Sequence, residues 1–417
     1  MKNITVSRIV LSMMLAAGVA GAGIAAAPQS VLAAEAKPTV SPAVGKPLQE
    51  AQKLLTAGDA KGAVAKAQEA VGLAKTPYEQ LVANQILANA ALKAGDMAGA
   101  VKGLEVMIAS PQLPADQKTS LRKTVIQIYY QAKNYPKTIE AANAYLKENP
   151  GDSEIPVLVA QSYYLQNDFK KASESLRQVV KSADAAGRPV KEDTLQLLMS
   201  ADYQLKNDDG VKQTLEMMVA RYPKPQYMRD FVAMNEKALR SGTPSTKTTL
   251  DIYVIKYNAG LLQKPEDYTG LAELAIQDGL PGLAKKVMEK GATDGVLGKE
   301  GKDREARMLN MAATQADTDL KNIAKGESEA TKAKTGEALI KYGEAYWSYG
   351  QYDKAIAATQ AGIAKGVTDK DDAQLRLGIA YLAAGQRPKA LEAWKAITPG
   401  TVAAQLASMW KLQKASA

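Results

Sequence analysis

Aromatic side chains recur at equivalent positions along this chain, and polar side chains precede most of them by three residues. On a helix this spacing places the polar group one turn from the ring, on the same face. The rings are Tyr130, Tyr164, Tyr203 and Trp347, and the polar partners of the first three are Gln127, Gln161 and Ser200. Rings supply contact area and amides pair with a peptide backbone, so the pattern favours binding of an extended peptide. The alternative is that the rings pack against the next helix and only stiffen the array.

Composition excludes several kinds of catalytic site. The 417 residues include no cysteine and no histidine. Disulfides, thiol nucleophiles, imidazole acid–base catalysis and ordinary zinc sites are therefore excluded. Serine and lysine remain, but no G-x-S-x-G elbow positions a serine nucleophile. We predict no catalytic residues and a protein that is not an enzyme.

Acidic and glycine-rich clusters offer only weak alternatives. Asp208-Asp209 and the segment 369–372 lack the loop spacing of calcium ligands, so we read them as solvated residues at helix starts. The glycines around Gly298 resemble a phosphate loop in composition but lack the G-K-[ST] sequence and a preceding strand. We therefore predict no metal site and no cofactor.

The helices that position the rings can be located from turn residues that recur about every 36 residues. They fall at Gly58, Gly95, Lys133, Asn167, Lys206, Gly242, Gly279, Gly350 and Gly385. The interval between the two turns at 279 and 350 is twice the others, so we expect a degenerate repeat near residue 314. The chain then holds about ten helical hairpins, which stack because no single hairpin buries its apolar faces.

The best-preserved repeats resemble the tetratricopeptide pattern. Leu377-Gly378-x-x-Tyr381, followed by Ala390 and Trp394, matches L-G-x-x-Y…A-x-x-x-F closely. In the repeat turning at Gly350, Gly343 lies within the first helix, where glycine is tolerated if the second helix crosses closely at Ala355. This resemblance implies an all-α fold, a tetratricopeptide-like α-solenoid that forms a right-handed superhelix.

In such a solenoid the first helix of each hairpin lines the concave face. We expect Tyr129, Tyr163 and Tyr346, four residues before their turns, to face the core. The rings one position later would then face a concave groove, and the third to fifth repeats would carry the binding site.

Departures from the repeat suggest boundaries. We assign 1–33 to a signal peptide, 34–46 to a disordered leader and 47–292 to an array of about seven repeats. Residues 293–335 form a degenerate repeat or hinge, and 336–413 hold the last repeats with a capping helix. The run from Asp251 to Gly298 also resembles exported repeat proteins of Gram-negative bacteria.

The first residues have the features of an export signal. Lys2 and Arg8 precede an uncharged apolar run, and Val31-Leu32-Ala33 offers small residues for cleavage. An uncleaved anchor is the alternative. We expect a periplasmic protein with no transmembrane segment after cleavage, whose net charge falls from +9 to +7 once Lys2 and Arg8 are removed.

These features predict a non-catalytic scaffold that binds an extended segment of an envelope protein, in transport, assembly or export. The alternative is an accessory that binds peptidoglycan, polysaccharide or another polyanion through its positive charge. Without a clustered basic stripe, nucleic acid is not an expected partner. The sequence leaves the oligomeric state open.

Overall fold

The computed structural model describes residues 39–240, 245–298 and 302–413, which form twenty α-helices and no β-strand. They divide into two compact units, the first ending at Lys206 and the second beginning at Asn207. The predicted signal peptide lies outside the described residues. Within those residues, no helix combines the length and apolar character needed to span a bilayer.

Unit 1 is a series of helical hairpins in which each helix packs on its sequence neighbours. Its helices are α1 (Pro42–Thr56), α2 (Ala60–Leu73), α3 (Pro77–Ala94), α4 (Met97–Ala109), α5 (Ala115–Gln131), α6 (Tyr135–Glu148), α7 (Ile155–Leu165), α8 (Phe169–Ala185) and α9 (Glu192–Gln204). Its first helices pack closely because their buried side chains are small. An added Cβ at Gly103 in α4 would lie only 3.0 Å from the Asn84 carbonyl oxygen and 3.2 Å from the Ala88 methyl carbon of α3.

Unit 2 contains the remaining eleven described helices. They are α10 (Asp208–Arg221), α11 (Pro225–Leu239), α12 (Thr246–Asn258), α13 (Pro265–Gln277), α14 (Pro281–Thr293), α15 (Lys302–Ala330), α16 (Glu337–Ser348), α17 (Tyr352–Lys365), α18 (Lys370–Ala383), α19 (Arg387–Lys395) and α20 (Val402–Lys411). The last helix, α20, contacts α18 and α19 but also α11 and α12, near the start of the unit. The two ends of unit 2 therefore meet.

The predicted turn residues adopt the left-handed conformation that reverses the chain between helices. Positive φ values of 56° to 88° occur at Gly58, Gly95, Lys133, Asn167, Lys206, Gly279, Gly350 and Gly385. The one remaining predicted turn, Gly242, lies outside the described residues. Five of these turns are followed by an aspartate or asparagine that caps the next helix, and these caps are Asp59, Asp96, Asn134, Asp168 and Asn207. Each side chain accepts a hydrogen bond from a backbone N–H of the first helical turn, which explains where the second helix starts.

The first helix begins at Pro42, so the assignment of all of 34–46 to a disordered leader is wrong. Val44 is completely buried in a cluster with Leu48 and Ala51, and this burial stabilises the added turn. The Ser41 backbone N–H also donates to the Glu79 carboxylate of α3 at 3.0 Å. This early start could not be read from the Pro/Ala-rich composition.

A single long helix replaces the hairpin that we predicted near residue 314. Gly295 and Gly298, which follow the end of α14, have positive φ, but α15 then runs for 29 residues without a turn. No proline interrupts it and its first glycine is Gly326, so nothing in the sequence breaks the helix. The hydroxyl of Tyr349 donates to Asp319 at 2.7 Å and holds α15 against α16.

The boundary between the compact units also differs from the predicted one. We expected a degenerate repeat or a hinge in 293–335, and α15 packs against α13, α14 and α16 inside unit 2. The chain divides instead between Lys206 and Asn207. Contacts of α20 with helices more than 150 residues earlier in the chain help define unit 2, and the repeat pattern does not encode them.

Candidate functional site

The predicted binding residues of unit 1 lie on three neighbouring helices. Helix α5 contacts α7, and α7 contacts α9, so these first helices of successive hairpins form one row. Near their carboxyl ends lie Tyr130, Tyr164 and Tyr203, with Gln127, Gln161 and Ser200 one turn earlier. The structure therefore brings these six residues onto the same row of helices.

Tyr130 and Tyr164 are half-buried because an aromatic residue five positions later covers each ring. The Tyr130 ring meets the Tyr135 ring edge-on at 5.9 Å between centroids, and Tyr164 meets Phe169 in the same way at 5.2 Å. Edge-to-face pairs of this kind stabilise packing. Part of both rings is thus used within their own hairpins.

A hydrogen bond joins the second and third helices of this row. The Tyr164 hydroxyl lies 2.7 Å from the Ser200 hydroxyl, which links α7 to α9. Ser200, predicted to pair with a ligand backbone, is therefore engaged by a neighbouring tyrosine. Gln127 and Gln161 are half-buried on α5 and α7.

Tyr203 is the most exposed of the predicted rings, with 73% of its surface accessible. The residue five positions later is Asp208, which offers no ring to cover it. Leu165 and Leu205, also near the ends of α7 and α9, are 48% and 41% exposed. We call Leu165, Tyr203 and Leu205 the Tyr203 patch. The Tyr164–Ser200 bond holds the two helix ends that carry it together.

The tyrosines predicted to face the core do so only in part. Tyr129 and Tyr163 are half-buried at the edge of hydrophobic clusters, and Tyr346 is 1% exposed. A lysine eight residues later lies over each ring, and for Tyr129 and Tyr163 these are Lys137 and Lys171, with ammonium groups 5.5 and 5.4 Å from the ring centroids.

Trp347 belongs to unit 2 and lines a small pocket of about 30 Å³. The helices α12, α16, α17, α18 and α20 contribute to its walls. A volume of this size holds about one water molecule. The predicted ring in unit 2 thus borders a small pocket between helices.

A buried ion network beside this cavity was missed by sequence reasoning. Arg376 of α18 binds the Asp251 carboxylate of α12 with both terminal nitrogens, one of them at 2.7 Å. Its Nε lies 3.0 Å from the Glu344 carboxylate of α16, and its Nη2 lies 2.8 Å from Asp372. Lys247 of α12 completes the network at 2.8 Å from Glu344. The side chains of Arg376, Asp251 and Glu344 are each at most 8% exposed.

The network shifts the pKa values of Arg376 and Asp372 in the direction that favours their charged forms. Burial alone would lower the pKa of Arg376, but the Asp251, Glu344 and Asp372 carboxylates raise that pKa well above its usual value. Burial raises the pKa of Asp372, but Arg376 and Lys247 outweigh it and lower that pKa overall. These residues carry a visible signal: Arg376 and Asp251 are single charges inside apolar helical runs, a pattern that implies a buried partner.

The acidic segment 369–372 has structural roles. Asp369 caps α18 by accepting a hydrogen bond from the Asp372 N–H at 2.8 Å. Asp371 accepts one from the Thr398 N–H at 3.0 Å, and Asp372 pairs with Arg376.

Comparison with known proteins concerns the repeat. A family model described as a tetratricopeptide repeat matches residues 372–398, which span most of α18 and all of α19. No curated protein matches the chain.

Solved structures with similar folds include several tetratricopeptide-repeat proteins. One from Parabacteroides merdae is 10% identical with a TM-score of 0.33, and the match covers 82% of this chain and 99% of that one. The C-terminal part of a repeat protein from Cytophaga hutchinsonii is 15% identical with a TM-score of 0.30, covering 79% and 99%. The TPR2AB-domain:pHSP90 complex of yeast Sti1 is 14% identical with a TM-score of 0.26, and the match covers 72% of this chain and 99% of that one. The resemblance inferred from the sequence is confirmed by the repeat itself: the chain carries a tetratricopeptide repeat at 372–398 within an all-α array of helical hairpins.

Proposed function

We propose that this protein is a non-catalytic periplasmic scaffold whose unit 1 binds an extended segment of an envelope protein. The row of α5, α7 and α9 is the binding face, and the Tyr203 patch is its centre. A tetratricopeptide repeat is compatible with this role, and the predicted signal peptide supports the location.

The observation that carries the proposal is the 73% exposure of the Tyr203 ring, on a row of helices whose ends also carry the exposed Leu165 and Leu205. Tyrosine is favoured at interfaces because it buries a large rigid surface and keeps one polar atom. The more covered Tyr130 and Tyr164 would extend the contact along the row.

The partner is identified by photo-crosslinking in cells from position 203, followed by binding of a peptide from the trapped protein to the purified chain. We expect Tyr203→Ser to lower the affinity for that peptide at least about tenfold, since a hot-spot tyrosine at an interface contributes about 1.4 kcal/mol or more. The matched control is Leu73→Ser, which removes a leucine of 42% exposure from α2 of the same unit. It should leave affinity unchanged.

Four results would contradict the proposal. Equal losses for Tyr203→Ser and Leu73→Ser would show a non-specific effect, and trapping only a second copy of the chain would indicate self-association. Retention on sacculi that is lost with added salt and is indifferent to Tyr203→Ser would favour the polyanion-binding alternative. Cell fractionation tests the location, because a chain found only in the cytoplasm would exclude an envelope partner.

A further inference from the structure

The last helix of unit 2 occupies a position between the two ends of that unit. Helix α20 packs against α18 and α19, which precede it, and against α11 and α12. Its face formed by Leu406, Met409 and Trp410 is at most 3% exposed. We call the surfaces of α11, α12 and α18 around α20 the α20 seat. The seat is shaped to receive an apolar helical face.

The contact between α20 and its seat is poorly satisfied in hydrogen bonds. Among residues of the described ranges, the buried side-chain atoms without a hydrogen-bond partner are Asn235 Oδ1, Gln405 Oε1, Trp410 Nε1 and Gln413 Oε1. Asn235 lies on α11, and the other three lie on α20 or two residues after it. Unpaired buried polar atoms cost free energy because water has been removed without replacement. Three of these four atoms therefore belong to α20 or to the residues directly after it.

Helix α20 is also short. It has ten residues, a length at which an isolated helix is only marginally stable. The linker before it contains Pro399-Gly400, with φ of 82° at Gly400. Side-chain hydrogen bonds hold its end: Gln413 donates to the Ile255 carbonyl oxygen at 3.0 Å, and Arg387 donates to the carbonyl oxygens of Gln413, at 2.8 Å, and of Lys411. Short terminal segments are among those that open before the rest of a domain unfolds.

We propose that the α20 seat is a binding site for an amphipathic helix of another protein, and that α20 fills it when no partner is bound. A partner helix fits if its buried face is uncharged, since Lys411 is the one charged residue of α20. It would carry small and large apolar residues in the order of Ala403, Leu406 and Trp410. It binds better than α20 if it brings a donor for Asn235 Oδ1 and leaves no polar atom of its own unpaired. This site is separate from the peptide-binding face proposed on unit 1.

Thiol labelling tests whether α20 opens locally. The chain has no cysteine, so one introduced thiol reports one site. Ala407→Cys of α20 is compared with Ala275→Cys of α13, since both alanines are at most 1% exposed in unit 2. We expect the thiol at 407 to react at least about 100-fold faster in the full chain, with a rate insensitive to low urea. Equal rates with equal urea dependence would overturn the proposal, and Met409→Cys repeats the test if the first variant does not fold.

Binding in trans tests the seat itself, with a fluorescent peptide of residues 401–413 as the probe. Leu406→Asp loosens α20 in the full chain, and Val402→Asp at an exposed site of the same helix is the control. We expect the peptide to bind the Leu406→Asp chain at least tenfold more tightly than the wild-type or control chain.

Two results would reject the helix site. One is that the Leu406→Asp chain does not bind the peptide, although its circular dichroism and unfolding midpoint equal those of the wild type. The other is a concentration-dependent dimer of the wild-type chain that exchanges α20 between copies, because this would assign the seat to a second copy.

Discussion

At the residue scale, Gly343 shows how one missing side chain sets the distance between two helices. An added Cβ would lie 2.2 Å from the Thr359 hydroxyl and 3.1 Å from the Ala355 carbonyl oxygen of α17. The hydroxyl can rotate away, but the carbonyl belongs to the helix backbone. The close approach expected from a glycine inside this helix is thus confirmed.

We expect Gly343→Ala to destabilise unit 2 by about 1–3 kcal/mol, since the added methyl forces the helices apart. The control is Gly270→Ala in α13, where a Cβ meets nothing within 4 Å. It should gain up to about 1 kcal/mol from the better helix propensity of alanine. Urea unfolding followed by tryptophan fluorescence measures both, because all three tryptophans lie in unit 2. A Gly343→Ala chain as stable as the wild type would show that α16 and α17 can separate at no cost.

At the element scale, a repeated pair ties the two helices of a hairpin together. The tyrosine four residues before the turn is covered by the lysine eight residues later, and the pairs are Tyr129/Lys137, Tyr163/Lys171, Tyr346/Lys354 and Tyr381/Lys389, at 5.3 to 5.6 Å. The lysine comes directly before the crossing position. The repeat pattern predicts the tyrosine and the crossing residue, but the covering lysine was recognised only from the structure.

Asp152 joins three successive helices of unit 1. It accepts hydrogen bonds from the Tyr145 hydroxyl of α6 and the Ile155 N–H of α7, and it pairs with Lys123 of α5. Burial raises the pKa of Asp152, but Lys123 and the backbone N–H groups of Ile155 and Glu154 outweigh it and hold the pKa at about 2, below its ordinary 3.8.

Because the folded state lowers this pKa, Asp152 stabilises unit 1 above about pH 4 and loses that effect as the pH falls towards 2. We expect Asp152→Asn to cost about 1–2 kcal/mol at pH 6, after allowance for solvent screening, and almost nothing at pH 2. Urea unfolding by far-UV circular dichroism at several pH values measures the difference. Asp116→Asn on α5 is the exposed control. A difference that stays constant from pH 6 to pH 2 would exclude the ionised carboxylate as its source.

At the scale of the whole molecule, local sequence rules and long-range contacts contribute different parts of the structure. The turns at Gly350 and Gly385 follow from backbone preferences of a few residues, so the repeat spacing predicts them. The pairing of Asp251 with Arg376 spans 125 residues and depends on how the hairpins of unit 2 curve. No periodicity encodes that curvature. The pocket that Trp347 lines is likewise walled by helices far apart in the sequence, α12 and α20 among them.

The Arg376 network is the part of unit 2 where this long-range closure can be tested. Arg376→Met would leave Asp251 and Glu344 as buried carboxylates with too few cations, which costs about 3–5 kcal/mol. We expect the tryptophan-fluorescence unfolding transition, which reports unit 2 alone, to shift to lower urea. The part of the circular-dichroism transition that comes from unit 1 should not move. The double variant Asp251→Asn/Arg376→Met removes one carboxylate with the cation and should recover more than half of the loss. If the single and double variants are equally unstable, lost packing of the arginine stem accounts for the effect and the buried charges do not.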